Sequence, residues 1–259
     1  MSDTPLLARQ AGRMRVEVYR DRDATGHAAG TRAAAALRAT LARQETARVV
    51  FAAAPSQLTT LATLRDAPGI DWSRVVAFHM DEYIGLAPGA PERFGRFIRE
   101  QIGDRVHPRE LHVIDPGEDP EAECARYAAL LAAAPIDLVC LGIGDNGHLA
   151  FNDPPVADFA DPRTVKIVAL DEACRRQQVA DGCFTDLDDV PEHAITLTIP
   201  ALLSAWRLIA TVPGAAKSDA LRAALDGPIG PRCPASALRG HPAAALYADL
   251  AAYGEEPRP

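Results

Sequence analysis

The sequence predicts an α/β fold: three layers, with a mainly parallel sheet covered by helices on both faces. Three observations predict it. Short, nearly continuous apolar runs recur along the chain, as in ARVVFAAA (47–54), RVVAFHM (74–80) and IDLVCLGIG (136–144), and such runs suit strands buried on both faces. Segments with helical spacing separate them, and strands alternating with helices favour a parallel sheet. At 259 residues, with 48% hydrophobic and 24% charged residues, the chain is long enough for one domain with a large core.

The elements follow in order. AAGTRAAAALRATLARQ (28–44) is alanine-rich without breakers after Gly30 and reads as a helix. The strand at 47–54 leads to SQLTTLATLRDA (56–67), a helix with Ser56 as cap. After the strand at 74–80, ERFGRFIREQI (92–102) reads as helix and ELHVI (110–114) as strand. PEAECARYAALLAAA (120–134) is a helix opened by proline. Beyond the strand at 136–144 come a strand at 164–170, a helix at 171–182 and a strand then short helix across 194–205. A strand at 206–212, a helix at 215–225, a Pro/Gly loop at 227–236 and a last strand at 243–249 complete the pattern. No repeat or linker interrupts it, so residues 1–259 read as a single Rossmann-like domain with 254–259 as a disordered tail.

Composition excludes several functions. A net charge of −8 provides no basic footprint for nucleic acid or an anionic membrane. The five cysteines are odd in number and lack C-x-x-C spacing, so they read as free thiols in a reducing compartment. The N-terminus carries no signal-peptide pattern, and no apolar run approaches the roughly 18 residues of a membrane span. A cytoplasmic protein is expected. Of 27 basic residues only Lys166 and Lys217 are lysine, which makes each a candidate for a task needing a compact point charge.

Three stretches follow predicted strands directly, at 53–57, 79–86 and 142–155, and should converge at the carboxyl ends of the sheet. The last is LGIGDNGHLAFNDPP (141–155), where Gly142, Gly144 and Gly147 spell G-x-G-x-x-G. A dinucleotide loop must open a helix, but Asn152, Asp153, Pro154 and Pro155 make a turn here. The glycines instead bring bare backbone close to a histidine. His148 has Asp153 five residues on, a pairing that fixes an imidazole tautomer. In FHMDEYIGL (78–86), Asp81 and Glu82 are adjacent at a strand end and point to opposite sides. One acid can face the crevice as a general base while the other pairs structurally.

Together FHMDEYIGL and LGIGDNGHLAFNDPP resemble the M-D-E-Y and G-x-G-x-[DN]-G-H-x-A-F-N-E-P segments of the glucosamine-6-phosphate deaminase/isomerase family. The resemblance extends from the first predicted strand to CPASALRGHP, most of the chain. It implies conversion of a phosphorylated amino sugar to fructose 6-phosphate and ammonia, without metal or redox cofactor. Asp81 would move a proton between C2 and C1, and His148 would help open the sugar ring. Asp153 would orient His148, Asn146 would stand where the family has Asp or Asn, and Glu82 would be a supporting acid. Lys217, in VPGAAKSDAL, would hold the phosphate.

Two departures concern that phosphate. The family's glycine pair is replaced by Ala54-Pro55, followed by Ser56 and Gln57, and proline donates no amide. Its phosphate-binding arginine falls at Gln178, with Arg175 and Arg176 nearby. Asp153 in place of Glu also shortens the reach to His148 by one methylene. The expected site is therefore Asp81, Asn146, His148 and Asp153 for chemistry, with Ser56, Gln57, Glu82, Gly147, Arg176, Gln178 and Lys217 for substrate. The competing readings are a sugar-phosphate lactonase related to 6-phosphogluconolactonase, and a sugar-phosphate-binding regulator without turnover. Oligomeric state, homo-oligomer or monomer, is left open by the sequence.

Overall fold

A computed structural model describes residues 4–254. Eight strands form the main sheet, in the order β1-β2-β11-β10-β7-β3-β4-β6. They are β1 (Leu7–Ala11), β2 (Met14–Tyr19), β3 (Ala47–Phe51), β4 (Val75–His79), β6 (Glu110–His112), β7 (Leu138–Leu141), β10 (Leu208–Val212) and β11 (Ala244–Asp249). Every neighbouring pair is parallel except the hairpin β1–β2. The helices are α1 (Arg22–Leu41), α2 (Leu58–Asp66), α3 (Phe94–Ile98), α4 (Asp104–Val106), α5 (Pro120–Ala132), α6 (Glu172–Ala180), α7 (Ile199–Leu203), α8 (Ser218–Asp226) and α9 (Leu250–Tyr253).

Alternate residues of the strands enter two cores, as a period of two requires. Val50, Val139 and Leu208 face α5, α7 and α8, whereas Val49, Leu138 and Ile209 face α1, α2 and α3. This is the expected three-layer arrangement. Among the described residues no helix is long and apolar enough to cross a membrane. All five cysteines are free.

The structure differs from the expectation in several places; α2, for one, begins at Leu58 after a short turn over Pro55–Gln57, so Ser56 is not its cap. The β1–β2 hairpin was not predicted; its strands carry Arg9, Arg15 and Glu17 and lack an apolar run. Helix α1 starts at Arg22, capped by the Asp21 carboxylate on the Ala24 amide, and so includes Gly26 and Gly30. Each such glycine costs a helix about 1 kcal/mol, but these two let α2 approach closely: a Cβ at Gly30 would lie 2.5 Å from Thr63 Cβ. The predicted helix at 92–102 is α3, continued by a wider π-type turn over Arg99–Gly103 and then α4. Finally, the strands expected at 164–170 and from 194 do not join the main sheet. They are β8 (Val165–Ala169) and β9 (His193–Leu197), which form a small antiparallel sheet with β5 (Asp81–Tyr83), itself not predicted as a separate strand. Of the expected tail, Gly254 closes α9 with its amide on the Leu250 carbonyl, and the rest lies outside the described residues.

The second sheet positions the site. The chain leaves the main sheet at His79 and enters the small sheet at Asp81, with Met80 between; its carbonyl accepts the Leu197 amide at 2.8 Å. Chain connections diverge from β3 and β7, toward β4 on one side and β10 on the other, so a crevice opens at their carboxyl ends.

Candidate active site

That crevice has a volume of about 340 Å³ and is lined by the loops after β3, β4, β7 and β10, by α6 and by the start of α1. The volume suits a small-molecule site. A larger open groove runs between α1 and α2, but its histidine, His27, is bonded to Thr63 and its one carboxylate, Asp66, pairs with Arg65. No acid and base converge there.

His148 lies at the crevice because Gly144 has no side chain. A Cβ at Gly144 would lie 2.1–2.4 Å from three atoms of the imidazole ring. The ring therefore stacks directly on backbone. Gly147 turns the loop with φ +86°, a conformation costly for other residues. The G-x-G-x-x-G spacing thus makes room for an imidazole in a loop that opens no helix.

Behind the ring stands Asp153, fully buried, with Oδ1 2.9 Å from His148 Nδ1. Asn146 braces both residues: its Nδ2 donates to Asp153 Oδ1 at 2.8 Å, and its Oδ1 accepts the His148 backbone amide at 3.0 Å. Burial alone would raise the Asp153 pKa. The hydrogen-bonding and charge of His148, with the Asn146 amide and the Cys174 thiol, outweigh it and hold the carboxyl below its ordinary range. Asp153 is an anion placed to stabilise an imidazolium.

Asp81 lines the same crevice from the junction of the two sheets. Burial, then the neighbouring charge of Glu82, pushes its pKa well above the carboxylate range. Glu82 points the other way, as the strand period requires, and does not line the crevice. Its carboxylate accepts the amides of Tyr83, Phe94 and Gly95 at 3.0, 3.1 and 2.9 Å, with Arg93 at 3.5 Å. Glu82 is thus a structural anchor for α3, which corrects its expected contact with substrate.

The remaining expected residues divide. Ser56, Gln178 and Lys217 line the crevice. Gln57 does not: it is fully buried and ties the β3 loop to β10 through the Thr211 carbonyl at 3.2 Å. Arg176 points outward to an exposed ion pair with Glu172, and Arg175 is held by the carbonyls of Leu187 and Val190. Helix α6 therefore presents Gln177 and Gln178 to the crevice in place of an arginine. Lys217 Nζ lies 2.5 Å from Asp145 Oδ1, an arrangement that keeps the ammonium at the crevice wall. Lys166, the other lysine, is buried away from the crevice, bonded to Asp161 and the Val156 carbonyl, and braces the segment after Asp153.

Sequence reasoning missed Arg22. It is the first residue of α1, lies in the crevice lining, and places a guanidinium nitrogen beside Gly214 in the loop that carries Lys217. Nothing local marks it, because its role depends on α1 packing beside β10. The crevice is thus lined by Asp81 and His148 and by two cations, Arg22 and Lys217.

Comparison with known proteins agrees with this geometry. Residues 20–247 match the family described as glucosamine-6-phosphate isomerases/6-phosphogluconolactonase. A glucosamine-6-phosphate deaminase of Pseudarthrobacter chlorophenolicus is 37% identical over 229 residues, 86% of either chain. One from Bacillus cereus is 36% identical over 181 residues, 70% of this chain and 67% of its own. Among solved structures, a monomeric glucosamine-6-phosphate deaminase superposes with TM-score 0.84 at 25% identity, covering 92% of this chain and 98% of its own. A 6-phosphogluconolactonase of Thermotoga maritima, at TM-score 0.74 and 19% identity over 90% of this chain and 98% of its own, shares the fold. With its motifs, its two-sheet architecture and these matches in agreement, the chain belongs to the glucosamine-6-phosphate isomerase/6-phosphogluconolactonase family.

Proposed function

We propose that this protein converts glucosamine 6-phosphate and water to fructose 6-phosphate and ammonia, or the C4 epimer of that substrate to ammonia and the correspondingly epimeric ketose 6-phosphate. The observation that carries the reading is one crevice holding a lone desolvated carboxylate, Asp81, beside a histidine–carboxylate pair, His148–Asp153. The relatives' names point to the same reaction.

The chemistry needs two proton-transfer centres. His148 shuttles the proton between ring oxygen and C1 hydroxyl as the pyranose opens, and Asp153 stabilises the imidazolium that forms. Asp81 then removes the proton from C2 and returns it to C1 through an enolamine. One carboxylate can both take and give that proton, and a raised pKa brings its two forms closer in energy near neutrality. Water adds to the resulting imine at C2 and ammonia leaves. Arg22, Lys217 and Ser56 hold the phosphate, with Gln178 supplying hydrogen bonds where an arginine charge would otherwise stand.

Ammonia release from glucosamine 6-phosphate, run beside galactosamine 6-phosphate, tests the reading. The expected result is ammonia from one epimer, abolished in Asp81→Asn with phosphorylated product still bound. Silence with both epimers, together with acid release from a sugar-phosphate lactone, would overturn it in favour of a lactonase. Binding without any turnover would favour a regulator.

A further inference from the structure

Around His148 Nδ1 lies a cluster that the proposed chemistry does not use in full. His148 Nδ1, an Asp153 oxygen and Cys174 Sγ lie within 4.8 Å of one another, and all three residues are buried. Asp153 Oδ1 is occupied by the Asn146 amide, and Oδ2 has no nitrogen or hydroxyl donor among the described residues, with only the Cys174 thiol standing near the carboxylate. His148 Nδ1 has Asp153 Oδ1 as its polar neighbour, at 2.9 Å. An unpaired buried carboxylate oxygen beside a thiol is unusual in a protein interior, where such groups are nearly always satisfied.

We propose that these atoms form an inhibitory zinc site. Imidazole, carboxylate and thiolate are a donor set that zinc favours over hard cations such as magnesium. Tetrahedral zinc with bonds of about 2.0–2.3 Å sets its donors roughly 3.3–3.8 Å apart, so in a cluster whose donors lie within 4.8 Å of one another side-chain adjustments seat the ion. Three donors leave one position for water. As the S–Zn bond forms, the Cys174 thiol releases its proton to solvent. Nothing is oxidised, and carboxylate and thiolate together balance the metal charge.

Cys174 has the placement this requires. It lies one turn before Gln178 on the inward face of α6, so the ion would sit beside His148 and Asp153. Zinc on Nδ1 leaves the imidazole proton on Nε2 and turns Asp153 into a metal ligand. The ring then can no longer take up a second proton. That consequence rests on the deaminase reading; the binding site itself does not.

The test uses full-length protein, stripped of metal and kept reduced, titrated with Co²⁺ and then Zn²⁺. The expected result is one equivalent bound, a thiolate-to-cobalt charge-transfer absorption, and displacement of cobalt by zinc. Cys174→Ser should lose that absorption and bind zinc roughly 100-fold more weakly. Cys174→Ala, checked for a cooperative melt, guards against a folding defect of the serine variant. No uptake at micromolar metal overturns the proposal. So does uptake unchanged in both variants, which would place the metal elsewhere, for instance at the surface pair His112–Glu110. In the ammonia assay zinc should inhibit the parent protein, and Cys174→Ser should need roughly 100-fold more zinc for the same effect. If the cobalt result holds but no ammonia is released at all, the site stands and the deaminase reading falls.

Discussion

Gly144→Ala tests the geometry around His148. A Cβ there would lie 2.1 Å from His148 Cε1, 2.2 Å from Nε2 and 2.4 Å from Nδ1. Carbon contacts below about 3.4 Å are repulsive, so the ring must retreat by about 1 Å or the loop must shift. Retreat would pull the ring off its partner, because Asp153 Oδ1 lies 2.9 Å from Nδ1 and that fully buried carboxylate is fixed by Asn146. Gly144 does not have a positive φ, so the alanine backbone itself is unstrained and the whole cost falls on the ring. Such overpacking costs about 1–3 kcal/mol of stability. Misplacing a catalytic group by about 1 Å lowers turnover on the order of 100-fold. KM should change less than kcat, since the added methyl meets the imidazole and not Arg22 or Lys217. Ammonia-release kinetics with a thermal melt decide the matter. A folded Gly144→Ala protein with kcat within about threefold of the parent would refute both the stacking argument and the role of His148.

The remaining predictions concern charge. Asp81→Asn should abolish ammonia release yet stabilise the fold. The Asp81 pKa is raised in the folded state, so this carboxyl favours folding when protonated and loses that contribution as pH rises through the folded value. The melting advantage of the variant should therefore be greatest at pH 8 and vanish near pH 4; an advantage that grows toward acid would contradict the assignment. Arg22→Met and Lys217→Ala should each raise KM by about 10–100-fold with smaller changes in kcat, as loss of a charge-assisted bond to phosphate implies. An unaltered KM in both would place the phosphate elsewhere. Glu82→Gln keeps an oxygen for the Tyr83 and Phe94 amides but turns an NH₂ group toward Gly95 and Arg93, so stability should fall by about 1–3 kcal/mol. Its kcat should stay near that of the parent, and a selective loss of turnover in chemical-denaturation-matched samples would return Glu82 to the reaction.

Much of this architecture is legible in the chain, because buried parallel strands and alanine-rich helices advertise themselves through local composition. The boundaries of β3, β4, α5 and β11 fall within three residues of the sequence reading. What escapes is decided by tertiary context. Glycines at 26 and 30 suggest a break until Thr59, Thr60 and Thr63 are seen against them. Nothing in TVKIVAL or AITLTIP says which of two sheets they join; that follows from Asp81–Tyr83 turning out of the main sheet to pair with β9. At the site, the motif residues Asp81, His148 and Asp153 are local in sequence and were readable. The cation at Arg22 is more than a hundred residues from any of the other crevice loops except that after β3 and β4, and only packing brings it in.

The adjacent acids Asp81 and Glu82 show how one fold sets two carboxylates to different uses. Glu82 receives three backbone amides and lies near Arg93, and these interactions pull its pKa back against the larger effect of burial. Asp81 has no such anchor, and neither of the principal influences on it favours the anion. The upstream histidine does not help: burial pushes His79 down to about 3, so it is neutral and offers Asp81 no counter-charge. Its Nε2 accepts the Ile114 amide, and the Tyr127 hydroxyl donates to the His79 carbonyl while accepting its amide, so the strand end is rigid as well as uncharged. A cation behind Asp81 would stabilise the carboxylate and make it a weaker base. The arrangement therefore spends the available hydrogen bonds on the acid that must hold α3, and leaves bare the acid that must exchange a proton. The acid limb of the kcat/KM profile should accordingly lie above the ordinary carboxylate range; a limb at or below pH 4 would mean that Asp81 finds in the substrate complex a charge partner that this crevice lacks.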